Sequence, residues 1–221
     1  MKQIFDIQQQ NQLRELCEKY ATVPCENVVQ VGSAYLEKLL HYNRTAPLIS
    51  RAGNQQALAI QLFLTSLAAL EFFPKGKDIF ALDIGSGGGF PAIPLKIARS
   101  EVCWELIEAR ERKCTALEAM IAHLSLADII VTNARYEHSS PRHAEAVQII
   151  TARAGSPAGG ILNWARRFPA LRSVLVFESS AKQNLNEYSE LENDFYLFNK
   201  KEITSGHGVE SLWLLSFEKR Q

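Results

Sequence analysis

No charge of one sign prevails in this sequence. Its 24 lysines and arginines equal its 24 aspartates and glutamates, so no global field draws the chain to nucleic acid or to an anionic membrane, and any basic surface must be local. Cysteine is scarce and scattered. Cys17, Cys25, Cys103 and Cys114 form no C-x-x-C pair and fall far apart in the expected elements, which suggests neither a disulfide framework nor a zinc site and leaves free thiols in the core. No metal is expected. Long hydrophobic runs are missing too. The most apolar stretch, 58–73, is interrupted by Gln61 and Glu71 and is shorter than the about 20 apolar residues of a bilayer span, so it reads as a buried helix. The first eight residues carry no apolar h-region, so a cytoplasmic protein without membrane contact is expected, and the Asn43-Arg44-Thr45 sequon is then idle. Repeats, low-complexity tracts and long linkers are absent as well.

What is present has a clear rhythm. Leu13, Leu16, Cys17 and Tyr20 fall at i, i+3, i+4 and i+7, one apolar helical stripe, and Leu36, Leu39 and Leu40 mark a second helix beyond Pro24. Residues 1–50 read as an N-terminal helical cap, closed by turn formers between His41 and Pro47. A third helix over 55–73 leads into an alternation of strands and helices, which argues a parallel sheet with crossover helices in residues 51–221. Strands are expected at 79–85, 103–108, 129–132, 147–151 and 171–177. Helices are expected at 90–98, at 112–126 from the stripe Leu117, Met120, Ile121 and Leu124, and at 157–168. A polar helix over 183–192 should follow, then two strands, 195–198 and 211–217, joined at Gly206-His207-Gly208 into an antiparallel hairpin.

The first strand ends in Asp83-Ile84-Gly85-Ser86-Gly87-Gly88-Gly89-Phe90-Pro91. Glycines at a strand-to-helix turn let a ligand lie against bare backbone, and Pro91 can open a helix whose first turn does not need its N–H. A dinucleotide fingerprint, G-x-G-x-x-G, fails here because Phe90 stands where its third glycine belongs. The pattern is instead an acid followed by alternate glycines.

That pattern resembles motif I of the class I S-adenosylmethionine-dependent methyltransferases, a Rossmann-like α/β fold with a seven-stranded, mostly parallel sheet and an antiparallel C-terminal hairpin. The resemblance implies a methyltransferase domain over 51–221 behind the helical cap, with S-adenosylmethionine as cofactor. That cofactor has no phosphate, so the acid Asp83 can face its amino group. Glu108, at the end of the second strand, stands about 20 residues beyond the glycines, where an acid accepts ribose hydroxyls in nucleotide-binding βαβ units. Asn133, Ala134 and Arg135 in this fold line the adenine. The implied cofactor-binding set is Asp83, Gly85, Ser86, Gly87, Gly89, Phe90, Glu108, Ala134, Arg135 and Arg153.

Ligands of open α/β sheets meet beyond the C-terminal strand ends, and at the fourth strand the sequence reads Thr151-Ala152-Arg153-Ala154. No Asp-Pro-Pro-Tyr, Asn-Pro-Pro-Tyr or Pro-Cys stands there, against adenine-N6 and cytosine-C5 chemistry. The run from Asp83 to Leu95 is similar to the signature of the RsmG (GidB) family, bacterial small-subunit (16S) rRNA guanine-N7 methyltransferases. Asn43-Arg44-Thr45-Ala46, the stretch from Glu108 to Leu117 and Thr151-Ala152-Arg153-Ala154 resemble further family segments. Other positions depart: Gln61, Leu62 and Thr65 stand where the family carries Arg, His and Asp, Glu178 where it carries Lys, and its C-terminal Pro-Arg-x-x-Gly is missing. Guanine N7 bears an in-plane lone pair without a proton, so the implied reaction needs no general base and depends on positioning and electrostatics. Arg153 is the implied catalytic group, hydrogen-bonding the base or the cofactor's methionine end. The implied partner is rRNA or the small ribosomal subunit, met by a monomer. Contacts to RNA are expected from Arg44, Arg51, Arg135, Arg142, His143, Arg166 and Arg167, with His123 and His138 as ordinary histidines and Trp164 and Trp213 as core. The departures keep two alternatives open: a paralogue with another substrate, and a non-catalytic cofactor-binding module in ribosome assembly.

Overall fold

The computed structural model describes residues 4–74, 76, 78–153, 158–179, 194–203 and 212–220. The expected polar helix over 183–192 and the turn at Gly206-His207-Gly208 lie outside these residues. The chain opens with helix α1 (Ile7–Tyr20), started by a capping box in which the Asp6 carboxylate and the Gln9 side chain each accept the other residue's backbone N–H. Helix α2 (Cys25–Tyr42) follows Pro24. Helix α3 (Gln55–Leu67), capped by the Asn54 side chain, tightens into a 3-10 turn over Ala68–Phe72. The single helix expected over 55–73 is therefore two segments.

Strand β1 (Phe80–Ile84), helix α4 (Ala92–Ala98), strand β2 (Cys103–Glu108), helix α5 (Glu111–His123), strand β3 (Ile129–Asn133), strand β4 (Val147–Arg153), helix α6 (Ala158–Ala165) and strand β5 (Ser173–Ser179) then alternate. Strands β6 (Phe195–Ile203) and β7 (Leu212–Lys219) complete one seven-stranded sheet in the order β3-β2-β1-β4-β5-β7-β6. The first five strands pair in parallel, and β7 runs antiparallel to both neighbours. β4 runs two residues further than the apolar run suggested, because Ala152 and Arg153 still pair with Ile84 and Phe177.

Period-2 alternation divides the core between the two faces. Ala81, Leu106, Ile149, Leu175 and Phe177 meet helices α1 to α5 on one face, whereas Leu82, Ile84, Ile107, Ile150 and Val176 meet α6 on the other. α4 is buried on all sides, Lys96 included, whose ammonium donates to Ser100 O (2.6 Å) and Val102 O (2.8 Å). The cysteines are free, but Cys17 and Cys25 are not far apart. Burial and the adjacent Cys25 push the Cys17 thiol up to about 12, because α1 turns directly into α2. Among the described residues no helix is long and apolar enough to cross a membrane, and no group of three His, Cys, Asp or Glu could hold a metal ion.

Candidate functional site

β1 is flanked by β2 on one side and β4 on the other, so the crossovers diverge and open a crevice at the C-terminal strand ends. The glycine turn sits in that crevice. Gly85 has φ +67° with nothing above it, an open floor for a ligand. Gly89, at φ +97°, serves packing instead: a Cβ there would be driven into the Ile93 side chain. The N-terminal helices clamp the turn from outside, since the Tyr35 hydroxyl of α2 donates to Gly88 O (2.7 Å). Asn43 braces the adjoining loop, its Oδ1 accepting from Leu48 N (2.8 Å) and Ile49 N (3.0 Å).

Glu108 closes β2 with its carboxylate held by main chain. Oε2 accepts from Gly87 N (3.0 Å) and Oε1 from Arg110 N (2.9 Å), which leaves each oxygen a lone pair for a hydroxyl donor. Beside it lies a cavity of about 180 Å³, lined by Gly85, Glu108, Ala134, Arg135, Tyr136 and Ile161 among others. The structure thus gathers four of the sequence-proposed residues around one cavity of mixed apolar and polar wall. Ser86 and Gly87 shape the turn, Ser86 by donating its hydroxyl to Asp83 O (3.1 Å). Phe90 does not line the cavity but packs edge-on against Tyr35, centroids 5.5 Å apart.

The charged pair lies on the helical-cap face of the sheet. Asp83 is fully buried; its Oδ1 accepts from Thr151 Oγ1 (2.7 Å), and its Oδ2 has no partner. Burial pushes its carboxyl up to about 7, against the Thr151 hydrogen bond that favours the charged form. Arg153 follows Ala152, the partner of Ile84, and so stands level with Gly85. Its Nη2 donates to Thr65 Oγ1 (2.9 Å), its guanidinium lies 4.5 Å from the Phe177 ring centroid, and its Nε and Nη1 are buried without partners. Burial lowers it to about 10, with the Asp83 charge opposing.

Tyr35 and Tyr136 carry no functional expectation from sequence, Thr65 enters there only as a departure from the family and Thr151 only as part of the fourth-strand segment. Thr151 was within reach, because strand alternation puts it on the same face as Arg153 and parallel register sets it opposite Asp83. Thr65 and Tyr35 come from helices and carry no local signal. Trp164 is buried against Tyr136 and Phe168, whereas Trp213 is half-buried with Lys200 Nζ 4.4 Å from its ring centroid.

The cations expected together do not share one rim. Arg44 and Arg51, in the loop against the glycine turn, and Arg135 on the cavity are exposed at the crevice end. Arg142 and His143 instead line a cavity with Phe80, Cys103 and Val147, at the strand starts. Arg166 and Arg167 follow α6 and also fall at that opposite end. The reason is directional: a segment returning to the start of a parallel strand has crossed the whole sheet.

The 3-2-1-4-5-7-6 sheet with its antiparallel seventh strand, the glycine turn after β1 and the acid closing β2 define the class I S-adenosylmethionine methyltransferase fold. In agreement, the solved structure of a SAM dependent methyltransferase from Aquifex aeolicus superposes with a TM-score of 0.52 at 16% identity, over 72% of this chain and 91% of that one. Within that class the chain belongs to the GidB family, rRNA small subunit methyltransferase G, whose family model matches residues 29–211. It is 30% identical over 137 residues to the Ribosomal RNA small subunit methyltransferase G of Ureaplasma parvum serovar 3 (strain ATCC 700970), over 61% of this chain and 64% of that protein. It is 45% identical over 104 residues to the protein of the same name from Roseiflexus sp. (strain RS-1), over 46% and 44% of the two chains. The chain therefore matches between about half and under two thirds of the length of these curated relatives.

Proposed function

We propose that the chain transfers a methyl group from S-adenosylmethionine to N7 of a guanine in small-subunit rRNA. One observation carries the reading: beside the glycine turn, opposite charges are buried with hydrogen-bonding capacity unfilled, Asp83 at Oδ2 and Arg153 at Nε and Nη1. Buried polar groups are normally satisfied, and an amino-acid end, ammonium plus carboxylate, matches this pair in sign. Glu108 then meets the ribose hydroxyls, and the wall of Ala134, Arg135, Tyr136 and Ile161 suits the adenine. When bound, S-adenosylmethionine supplies an electrophilic methyl group on a sulfonium.

The residues of the chain have a limited task. Guanine N7 needs no deprotonation, so no side chain has to remove a proton, and rate comes from alignment and a preset field. Arg153 is held rigidly for that purpose between Thr65 and Phe177. Arg44, Arg51 and Arg135 at the crevice mouth suit phosphates of the incoming RNA. The names of the curated relatives support the rRNA substrate, and the resemblance of the run from Asp83 to Leu95 supports the guanine-N7 position.

The test is label transfer from methyl-tritiated S-adenosylmethionine into unmodified small subunits, their naked rRNA, or the protein and small-molecule fractions of the same cells. Counts in the rRNA are expected. Counts only in another fraction would establish a different substrate, and binding of S-adenosylhomocysteine without transfer to any fraction would establish a non-catalytic module.

A further inference from the structure

Asp83 has a hydrogen-bonding partner that suits a carboxylic acid as well as a carboxylate. Thr151 Oγ1 lies 2.7 Å from Asp83 Oδ1 and 3.3 Å from Leu82 O. A hydroxyl has one proton to give and lone pairs to accept with. When Asp83 is ionised, Thr151 donates to Oδ1. When Asp83 is protonated, Oδ1 can donate to Thr151, and the Thr151 proton turns to Leu82 O. Thr151 therefore serves either state.

The surroundings decide which state the empty site holds. Asp83 is fully buried, and among the described residues its Oδ2 has no hydrogen-bond partner. Arg153 of β4 favours the charged form, but it gives Nη2 to Thr65 and leaves Nε and Nη1 unpaired instead of meeting the acid. The Ser86 hydroxyl of the glycine turn, which donates to Asp83 O (3.1 Å), also favours it. Glu108, at the end of β2, opposes it with a like charge. Tyr35 of α2 spends its own proton on Gly88 O (2.7 Å). A buried carboxylate short of donors and of a paired cation costs more than the neutral acid, and burial outweighs the favourable neighbours, holding the carboxyl up at about 7. An ammonium at the unfilled Oδ2 reverses that balance, because a close opposite charge favours the carboxylate.

We propose that Asp83 carries a proton in the empty protein and gives it up to solvent when the amino-acid end of the cofactor binds, Thr151 reversing its hydrogen bond between the two states. The balance is a single proton. Carboxylic acid and free ammonium become a carboxylate facing an ammonium, and the proton passes to water. This coupling rests on the reading of the crevice as the S-adenosylmethionine site and deepens it: cofactor affinity then rises with pH up to about neutrality.

Isothermal titration calorimetry of the whole chain with S-adenosylhomocysteine, in pairs of buffers of unlike ionisation enthalpy, counts the protons. At pH 6 the ligand's own α-amino group, which ionises at about 8, is already charged, so the count belongs to the protein. An acid with a midpoint of about 7 is nine-tenths protonated one unit lower, so about 0.9 proton per ligand should leave at pH 6 and about half a proton at pH 7. 5′-Methylthioadenosine, which lacks the amino-acid end, should bind with no release, as should S-adenosylhomocysteine to Asp83→Asn. Thr151→Val removes the donor to the carboxylate and should move the half-release point upward by about one pH unit. Thr151→Ser should leave it in place. S-adenosylhomocysteine binding to the parent without proton release, or with equal release from Asp83→Asn, overturns the proposal and leaves the cofactor site standing. Equal release on binding 5′-methylthioadenosine overturns it too, by placing the coupling at the adenosine end. A parent that binds S-adenosylhomocysteine at no pH overturns the cofactor reading and the proposal together.

Discussion

The Thr65 hydroxyl of α3 accepts a hydrogen bond from Arg153 Nη2 of β4 across 2.9 Å, while its own proton goes to Gln61 O at 2.8 Å. Thr65 is therefore an acceptor committed to the guanidinium, and among the described residues it is the one side-chain hydrogen-bond partner of Arg153. Replacing it with the near-isosteric Thr65→Val removes the acceptor and keeps the volume. A hydrogen bond to a charged group contributes about 1.5–3 kcal/mol, so kcat/KM for methyl transfer should fall between about tenfold and a hundredfold. Thr65→Ser should retain most activity, since the hydroxyl survives. Steady-state transfer kinetics on the pair check this.

Glu108 has two separable duties. Glu108→Ala removes the ribose acceptor and orphans the Gly87 and Arg110 N–H groups. S-adenosylhomocysteine should raise the melting temperature of the parent and leave that of Glu108→Ala unmoved. The variant without ligand should itself lose about 0.5–1.5 kcal/mol of stability, the net contribution of a hydrogen bond where the donors, on half-buried Gly87 and exposed Arg110, can turn to water. Differential scanning fluorimetry with and without ligand reads both.

Gly85 and Gly89 share positive φ but not surroundings. At Gly85 an added Cβ meets nothing within 4 Å, so Gly85→Ala should cost about 1–2 kcal/mol of stability from backbone strain alone and obstruct the ligand that lies there. At Gly89 the Cβ meets Ile93 and Leu117, so overpacking adds about 1–3 kcal/mol to the strain. Denaturant melts should rank Gly89→Ala the less stable, while S-adenosylhomocysteine titration of the folded fractions should show the larger affinity loss for Gly85→Ala.

Asp83 ties stability to pH. Its folded value, about 7, lies above that of a free aspartate, so the folded state favours the protonated acid. Its contribution is then fully present below about pH 4 and lost as pH rises through 7. The unliganded parent should lose stability relative to Asp83→Asn over that window, and the two curves should run parallel above it. Urea midpoints at stepped pH test this. At pH 8 Asp83→Asn should be no less stable than the parent, yet bind S-adenosylhomocysteine more weakly.

How much of this was written locally in the chain differs between elements. β2 occupies 103–108 as expected, and Glu108 sits at its end, because an apolar run bounded by turn residues fixes a buried strand and parallel pairing fixes the acid's height beside the glycines. The Asp83-to-Pro91 turn was legible for the same reason: its chemistry lies within nine consecutive residues. What stayed hidden comes from afar. Thr65 and Arg153 are 88 residues apart in sequence, and Tyr35 and Gly88 are 53 apart; neither apolar stripe shows which polar residue on it will meet a strand end. The cations were misplaced for a different reason. Arg142 and His143 precede β4 and Arg166 and Arg167 follow α6, each pair close in sequence to the site strand β4, but the crossovers carry them to the strand starts, where Arg142 and His143 line a separate cavity. α3 was overextended because its apolar content persists through Phe72, although the helix tightens after Leu67.

Methylation at guanine N7 is tested most directly by borohydride reduction followed by aniline scission of the treated rRNA, because N7 methylation makes the strand cleavable at the modified guanosine. Unmodified small-subunit rRNA incubated with the protein and S-adenosylmethionine should acquire one new cleavage at a guanosine, absent with Arg153→Ala. Transfer of label into the rRNA with no aniline-sensitive guanosine would contradict the account.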